Sequence, residues 1–154
     1  IIIELREANE FALETECPSV LIESLLEGRE FSVGVVPDEN GIPIVLPVTE
    51  IITENAFFDY EAKYEGESLE ITPAKLSLES TAFIKETVVK ATEILNCKWM
   101  VRVDIILVNG EIPAVIEINS VPGFTAESIL PQQLSCAGIK LPDVISTILK
   151  GILE

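Results

Sequence analysis

The chain has 154 residues, 48% of them hydrophobic, and a formal net charge of −16 from ten basic and 26 acidic residues. This length accommodates one substantial domain or two small lobes, and so acidic a surface argues against non-specific nucleic-acid binding. The sequence contains no histidine, which excludes Ser-His-Asp triads, Cys-His proteases and imidazole-ligated metals. Any chemistry must therefore use carboxylates, lysine, arginine and backbone amides.

The rest of the composition indicates a folded cytoplasmic protein. No apolar run reaches the ~20 residues that a membrane span needs, and no signal peptide opens the chain. The sequence begins at Ile1 and not at Met, so we expect a fragment of a longer protein. Cys17, Cys97 and Cys136 are odd in number and widely spaced, which predicts buried free thiols and argues against disulfides or a zinc site.

Apolar periodicity in the first half of the chain predicts a helix followed by strands. The predicted elements are a helix over Glu4–Thr15 and strands over Val20–Leu26, Phe31–Val36 and Ile42–Ile52. The first strand pattern is interrupted by Glu23, and the last contains two prolines, which indicate an edge or a bulge. Thr53–Thr72 is polar, aromatic-rich and aperiodic, which predicts a long functional or mobile loop.

The second half predicts three helices around a hairpin. The helices cover Ser80–Asn96, Ala126–Ala137 and Asp143–Leu153. The inward side chains predicted for the last helix are Val144, Ile148, Leu149 and Ile152. Because strands and helices mix without a regular βαβ alternation, we expect an α+β fold with a mainly antiparallel sheet.

The hairpin is the most informative stretch. Asn109-Gly110 lies between two apolar runs and is the strongest short hairpin signal, because both turn positions need φ > 0. A two-residue loop places Arg102 opposite Glu117 and Asp104 opposite Val115. Side chains alternate along a strand, so one face carries Arg102, Asp104, Glu117 and Asn119. The opposite, core face is predicted to carry Val101, Val103, Ile105, Leu107, Ala114, Ile116 and Ile118.

The polar face of this hairpin suits a cation. Asp104, Glu117 and Asn119 offer only oxygen ligands, which favours Mg²⁺ over zinc or copper. Two adjacent carboxylates also repel each other unless a proton or a metal intervenes. In the alternative interpretation, Arg102 pairs with Glu117 across the strands and Asp104 is solvated. Spacing alone leaves both open.

Other polar residues are candidates for ligand contacts, each with an ordinary structural alternative. Arg102 could stabilise an oxyanion, and the backbone at Pro122-Gly123 could approach a ligand closely or form an ordinary turn. Ser128, near a helix start, could bind an anion or cap the helix. Lys63 could close over a phosphate or be solvated. Glu23 and Glu30 bracket a connection between apolar strands, and if buried each needs a partner such as a ribose diol or a backbone N–H.

Taken together, several stretches resemble a known family. LIESLLEGREFSVGV, LPVTEI, FFDYEAKY, TPAKL, RVDIIL and EINSVPGFTAESILPQQ closely resemble, in this order, the C-terminal part of D-alanine–D-alanine ligases of the ATP-grasp superfamily. The resemblance runs from Val20 to the end, and the combination of DYEAKY with an ExNxxPG run is specific to this family. It implies that residues 1–154 form an ATP- and Mg-binding ATP-grasp C-terminal domain. The N-terminal substrate domain and part of the central domain would then lie outside this chain.

The resemblance also implies an activity and a site. The activity is ATP-driven joining of two D-alanines through an acyl phosphate, for peptidoglycan precursor synthesis. The implied metal ligands are Asp104, Glu117 and Asn119, holding two Mg²⁺ ions, with Mn²⁺ as a substitute. The implied ATP contacts are Lys63 on the γ-phosphate, Glu30 on the ribose, and Glu23, Ser24, Leu25 and Leu26 around the adenine. The implied substrate contacts are Arg102 and the Gly123 N–H as oxyanion hole, and Ser128 and Ile129 for the second D-alanine.

The expected partners are small molecules, ATP and D-alanine, without nucleic acid or membrane, and with a possible homodimer of the full-length protein. Two alternatives remain: a D-alanine–D-lactate or D-alanine–D-serine ligase, and a non-catalytic nucleotide-binding module. The family's N-terminal domain, two ATP-contacting lysines and a serine-bearing loop precede the matched segment. We therefore expect no turnover by this chain alone.

Overall fold

The computed structural model describes residue 10 and residues 23–53 and 68–153. In those parts six strands form one sheet, and three helices pack on it. The elements are β1 (Gly28–Pro37), β2 (Pro43–Val45), β3 (Thr49–Thr53), β4 (Ser68–Ile71), α1 (Leu78–Ile94), β5 (Val101–Val108), β6 (Ile112–Asn119), α2 (Ile129–Ala137) and α3 (Leu141–Leu153). The strand order is β4-β3-β1-β5-β6, with β2 also paired to β1, and every pairing is antiparallel. The expected α+β class is confirmed.

One face of the sheet forms the main core with α1. Alternate residues of β1 and β5 point to this side, because side chains alternate along a strand. The buried members of the cluster are Phe31, Val33, Val35, Val48, Ile84, Val88, Val101, Val103, Ile105 and Leu107. The hydroxyl of Ser77 accepts the N–H of Ser80 and caps the start of α1. This packing fixes β1 and β5 at the centre of the sheet.

The opposite face is apolar only where α2 and α3 cover it. Its buried cluster consists of Val36, Leu46, Leu130, Leu134 and Val144. Gly34 allows α2 to approach, since a Cβ there would overlap Leu130 and lie 2.7 Å from Gln133 Oε1. Further along the two central strands, the same face carries polar side chains and forms the site described below.

Three predictions about strands are wrong in the described residues. Residues 23–27 form no strand, and Leu25 is 71% exposed, because an apolar run does not by itself find a neighbouring strand. The single strand expected over residues 42–52 is two strands, β2 and β3, separated at Leu46–Val48, where Pro47 has no N–H for a ladder. The end of the expected loop at residues 53–72 is β4, which pairs with β3. The helix predicted over residues 4–15 and residues 54–67 of that loop lie outside the described residues.

The helices lie close to their predicted positions, but the burial of some of their side chains differs from the prediction. α2 begins at Ile129 and not at residue 126, because residues 125–128 form a turn; it ends as predicted at Gly138, with φ 70°. In α3, Val144 is buried, but Leu149 and Ile152 are 55% and 60% exposed, so the inward placement of those two is wrong. No helix in the described part of the chain is long and apolar enough to cross a membrane.

The predicted burial of the cysteine thiols is wrong for the two cysteines that the structure describes. Cys97 and Cys136 are free, as predicted, but Cys97 is only partly buried and Cys136 is exposed. Cys136 lies on the solvent side of α2. Cys17 lies outside the described residues.

Candidate active site

The hairpin turn adopts the expected conformation, but its register differs from the prediction. Asn109 and Gly110 have φ values of 54° and 75°. The ladder nevertheless pairs Val108 with Ile112, so Glu111 is a third loop residue. This extra residue moves every pair in the hairpin by one position.

A β-bulge then shifts the register a second time. Ile105 pairs with Val115, whereas Asp104 pairs with Glu117, which leaves Ile116 as the extra residue of β6. Arg102 consequently lies opposite Asn119 and not opposite Glu117, and the predicted pairs of Arg102 and Asp104 are both wrong. The two shifts together amount to two residues, one full period of the strand, so the four polar residues still share one face.

The predicted core face is right for β5 and for Ile118, which packs against the main core. It is wrong for Ala114 and Ile116. Ala114 lies opposite Ile106 on the polar face, and Ile116 is 50% exposed at the bulge. Val115 instead lies on the side of the buried Ile105, with which it pairs, but it is 38% exposed.

Asp104 is the centre of the polar cluster. Asp104 is 7% exposed, and its carboxylate accepts hydrogen bonds from three neighbouring side chains. Ser32 Oγ donates to Oδ1 at 2.7 Å, and Asn119 Nδ2 donates to Oδ2 at 3.0 Å. Arg102 donates from Nε to Oδ1 at 2.9 Å and from Nη2 to Oδ2 at 2.8 Å. Such a fork of charge-assisted bonds stabilises a carboxylate that burial alone would destabilise.

Glu117 joins the same cluster from the edge strand. Asn119 Nδ2 donates to Glu117 Oε1 at 2.8 Å, and Arg102 Nη2 lies 3.8 Å from that oxygen. Arg102 therefore contacts both carboxylates, and Asp104 is not solvated as the alternative interpretation required. The hydrogen bond to Asp104, followed by the charges of Asp104, Glu117 and Glu70, raises the pKa of the Arg102 guanidinium, so this cation remains charged.

The donor set fits a hard divalent cation. The Asn119 amide lies within hydrogen-bonding distance of both carboxylates, so rotating it by half a turn would direct its oxygen towards the same point. Two carboxylates and an amide oxygen are ligands that Mg²⁺ accepts. Among residues 10, 23–53 and 68–153, no three His, Cys, Asp or Glu side chains are arranged to hold a metal. A cation here would need the amide, or oxygens from a substrate, beside Asp104 and Glu117.

The candidate ATP contacts lie in different parts of the chain, and only one of those that the structure describes is on the sheet near Asp104. Glu30 is partly buried on β1, two positions from Ser32 and so on the same face as Asp104. The residues expected around the adenine lie in an irregular segment before β1; Glu23, Ser24 and Leu25 are exposed, and Leu26 is partly buried. The burial considered for Glu23 is therefore wrong. Lys63 lies outside the described residues.

Gly123 and Ser128 are brought together at the start of α2. A Cβ on Gly123 would lie 2.8 Å from Ser128 Oγ, so only glycine fits without displacing that hydroxyl. Ser128 occupies the cap position of α2 but makes no side-chain cap bond. Its Oγ instead accepts the Thr125 N–H at 3.1 Å and lies 3.0 Å from Thr125 Oγ1. Ile129 is the first residue of the helix.

Several residues of the cluster were not predicted from the sequence. Ser32 is fully buried and contacts Asp104. Glu70 on β4 accepts from Gln132 Nε2 at 2.6 Å, and its charge also acts on Arg102. Gln133 is fully buried. The available signals were weak: a serine inside an apolar strand, and two glutamines in a helical stretch.

Comparison with known proteins shows which family the chain is similar to. The chain matches the family model described as "D-ala D-ala ligase C-terminus" over residues 2–150. It is 48% identical over 143 residues to the D-alanine–D-alanine ligase of Flavobacterium johnsoniae, covering 93% of this chain and 43% of that protein. It is 44% identical over 140 residues to that of Christiangramia forsetii, covering 91% and 42%.

Solved structures give the same fold. The D-alanine–D-alanine ligase of Bacillus anthracis complexed with ATP superposes with a TM-score of 0.72 at 27% identity, over 96% of this chain and 46% of that one. The VanG D-Ala:D-Ser ligase of Enterococcus faecalis superposes with a TM-score of 0.67 at 27% identity, over 83% and 37%. The class defined by fold and site is thus the ATP-grasp ligases.

Within that class, the chain belongs to the D-alanine–D-alanine ligase C-terminal family. The resemblance found in the sequence is confirmed. The chain spans less than half the length of the curated relatives it matches, 43% in the case of the Flavobacterium johnsoniae protein.

Proposed function

We propose that this chain is the nucleotide- and metal-binding part of an ATP-dependent D-alanine–D-alanine ligase that serves peptidoglycan precursor synthesis in the cytoplasm. Family membership and the names of the relatives support this activity. The observation that carries it is the cluster of Arg102, Asp104, Glu117 and Asn119 on one face of the sheet. The residues of the relatives outside the matched segment would supply the rest of the active site.

The proposed reaction has two steps. A carboxylate oxygen of one D-alanine attacks the γ-phosphorus of ATP, forming an acyl phosphate and releasing ADP. The amino nitrogen of a second D-alanine then attacks the acyl carbonyl, loses a proton, and inorganic phosphate leaves as the peptide bond forms. Both steps concentrate negative charge, so catalysis depends mainly on positioning and on preorganised positive charge.

Arg102 supplies that charge from the protein. Its planar fork of N–H groups matches a carboxylate, a phosphate or an oxyanion. The guanidinium lies at the junction of Asp104 and Glu117, and its side chain is 19% exposed, so it is accessible from the open side of the sheet. The Gly123 N–H would be the second donor to the oxyanion of the tetrahedral intermediate.

Asp104, Glu117 and Asn119 would hold the divalent cations, two Mg²⁺ or Mn²⁺ ions, which neutralise and orient the phosphates of ATP. The two carboxylates are suited to different tasks. Asp104 is buried on a central strand, whereas the Glu117 side chain is 48% exposed on the edge strand. The pair therefore combines a fixed ligand with one that can adjust.

The remaining contacts are proposed from the resemblance of the sequence to the family. Glu30 would hold the ribose, Glu23 to Leu26 would frame the adenine, and Lys63 would contact the γ-phosphate. Ser128 and Ile129 would bind the second D-alanine at the start of α2. The partners would be ATP and D-alanine, with a homodimer as the proposed assembly of the full-length protein. The net charge of −16 disfavours nucleic acid.

D-alanine is favoured as the second substrate. A D-Ala:D-Ser ligase shares the fold at 27% identity, but curated relatives at 44% and 48% identity are named D-alanine–D-alanine ligases. A D-lactate or D-serine ligase, and a module without catalysis, therefore have less support than the proposed activity.

Calorimetric titration of the chain with ATP, with and without Mg²⁺, tests the site. We expect Mg²⁺-dependent binding that Glu117→Gln weakens at least about tenfold, since even outer partners of a metal site affect affinity by that factor. Glu111→Gln is the matched control, because it removes the same charge from an exposed position at the tip of the same hairpin. Equal ATP affinity in the wild type and Glu117→Gln would contradict the proposal and favour a nucleotide-binding module without a cation site.

A further inference from the structure

Ser32 stands out among the residues that no sequence pattern predicted. It lies on β1 directly opposite Asp104 of β5, and its Oγ donates to Asp104 Oδ1 at 2.7 Å. Ser32 is fully buried and Asp104 is 7% exposed. A hydroxyl enclosed next to a charged carboxylate has a fixed orientation, because in this position it donates to the strongest acceptor nearby.

The hydrogen bonds around Asp104 divide into two groups. An ionised carboxylate has about four acceptor positions. Ser32, Asn119 and the two N–H groups of Arg102 use both of its oxygens. A cation that binds Asp104 must therefore displace a donor. Arg102 and Asn119 lie towards the exposed Glu117, whereas Ser32 lies on the buried side. A cation would therefore replace a donor of the exposed group and leave the Ser32 bond intact.

The backbone of Ser32 is itself held in place. Between the β2 and β3 pairings, β1 faces Leu46–Val48, where Pro47 cannot donate an N–H. The carboxamide of Gln133 fills this gap: its oxygen accepts the Gly34 N–H at 2.9 Å, and its nitrogen donates to Ser32 O at 2.8 Å and to Thr49 Oγ1 at 2.9 Å. Gln133 thus ties the strand position of Ser32 to α2.

We propose that Ser32 is a positioning residue of the cation site: its hydroxyl holds Oδ1 of Asp104 so that Oδ2 is presented to the divalent cation. The inference rests on the proposed function and deepens it, since it assigns a residue that does not touch the cation. Outer partners of this kind fix the orientation of a metal ligand, and their loss weakens metal affinity by about 10- to 100-fold.

The test measures Mn²⁺ binding to the 154-residue chain from the electron paramagnetic resonance signal of free Mn²⁺. We expect Ser32→Ala to bind Mn²⁺ about tenfold more weakly than the wild type. Ser32→Thr retains the hydroxyl, and we expect its affinity to stay close to that of the wild type. If Ser32→Ala does not fold, Ser32→Cys replaces it, because a thiol is a weak donor.

Thr49→Val is the matched control. Thr49 is also fully buried and pairs with Ser32 from the opposite side of β1, and its hydroxyl bonds to Gln133 and Thr72. This variant loses a buried hydroxyl from the same row of the sheet, so we expect a lower urea midpoint but an unchanged Mn²⁺ affinity. A merely structural role of Ser32 would give the two variants the same pattern.

The outcomes separate the two proposals. Equal Mn²⁺ affinity of the wild type and Ser32→Ala contradicts the role of Ser32 alone. A loss in Thr49→Val as large as that in Ser32→Ala also contradicts it, since general loosening would then explain both. A wild-type chain that binds no Mn²⁺ contradicts the cation site itself, and the role of Ser32 with it.

Discussion

Arg102 is the one cation among the described residues that contacts both carboxylates of the cluster. Its hydrogen bonds to Asp104 span 2.8 to 3.3 Å, and its distance to Glu117 is 3.8 Å. The arginine therefore neutralises the buried carboxylate first and the exposed one second. Removing one partner of a buried pair leaves the other charge uncompensated, so this arrangement constrains the cluster more than an exposed ion pair would.

A second carboxylate, Asp38, gives a pH-dependent prediction. Its Oδ1 accepts the N–H groups of Ile42 and Asn40, both at 2.8 Å, in the turn after β1. The bond from Ile42, reinforced by that from Asn40, lowers the pKa of Asp38. A lowered pKa in the folded state means that this stabilisation is present above the unfolded pKa of about 3.9 and is lost as the pH falls through the folded value.

Carboxyl titration followed by NMR measures this effect. We expect the Asp38 midpoint below about 3.9, and we expect the urea midpoints of the wild type and Asp38→Asn to converge as the pH falls from about 5 to 2. A midpoint at or above the ordinary value, or a constant difference between the two proteins, would contradict the role given to these two hydrogen bonds.

The residues of the cluster were predictable to different degrees. Arg102, Asp104, Glu117 and Asn119 could be placed on one face, because the period of a strand is two and the two register shifts add up to one full period. Ser32 could not be found in this way, since a serine in an apolar strand is ordinary and its partner lies on another strand, 72 residues away along the chain.

At the scale of elements, the turn was predictable and the register was not. The conformation at Asn109-Gly110 depends on local chemistry, which the sequence contains. The number of loop residues and the bulge at Ile116 depend on how β6 packs at the edge of the sheet. Similarly, the apolar stripe of α3 indicates a helix, but it does not reveal how much of the stripe is covered.

The burial of α2 and α3 leads to a stability prediction. Leu134 on α2 is 1% exposed, whereas Leu149 on α3 is 55% exposed, so the same substitution tests both environments. Leu134→Ala leaves a cavity in the core under the sheet and should lower the free energy of unfolding by about 2–5 kcal/mol. Leu149→Ala removes an exposed side chain and should change it by no more than about 0.5 kcal/mol.

Urea denaturation followed by circular dichroism compares the two variants with the wild type. Similar losses of stability in both would show that Leu149 is also covered in solution. A small effect of Leu134→Ala would contradict the core assigned to the face beneath α2.

At the scale of the whole molecule, one face of the sheet carries the main apolar core and the other carries the candidate site. One face packs against α1 and is apolar, while the other is apolar only under α2 and α3 and is charged beyond them. The fold class and the family could be predicted, because they depend on the order of many short stretches. The approach of α2 to Gly34 could not, since it depends on contacts between residues about a hundred positions apart.

The acidity of the chain makes cations necessary for binding phosphates. With a net charge of −16, the protein needs positive charge at the site to bring phosphates near its carboxylates. If the polar face of β5 and β6 supplies the cation ligands, added divalent ions should accumulate there and not spread over the acidic surface.

Paramagnetic line broadening by Mn²⁺, read from the backbone amide resonances of the chain, shows where the ions accumulate. We expect the resonances of Asp104, Glu117 and Asn119 to broaden at the lowest Mn²⁺ concentrations, and added Mg²⁺ to restore them. Asp38 and Asp143, which are acidic but lie in a turn and at the start of α3, should broaden only later. Broadening that begins at those control residues, or that is equal at all acidic positions, would contradict a cation site on this face of the sheet.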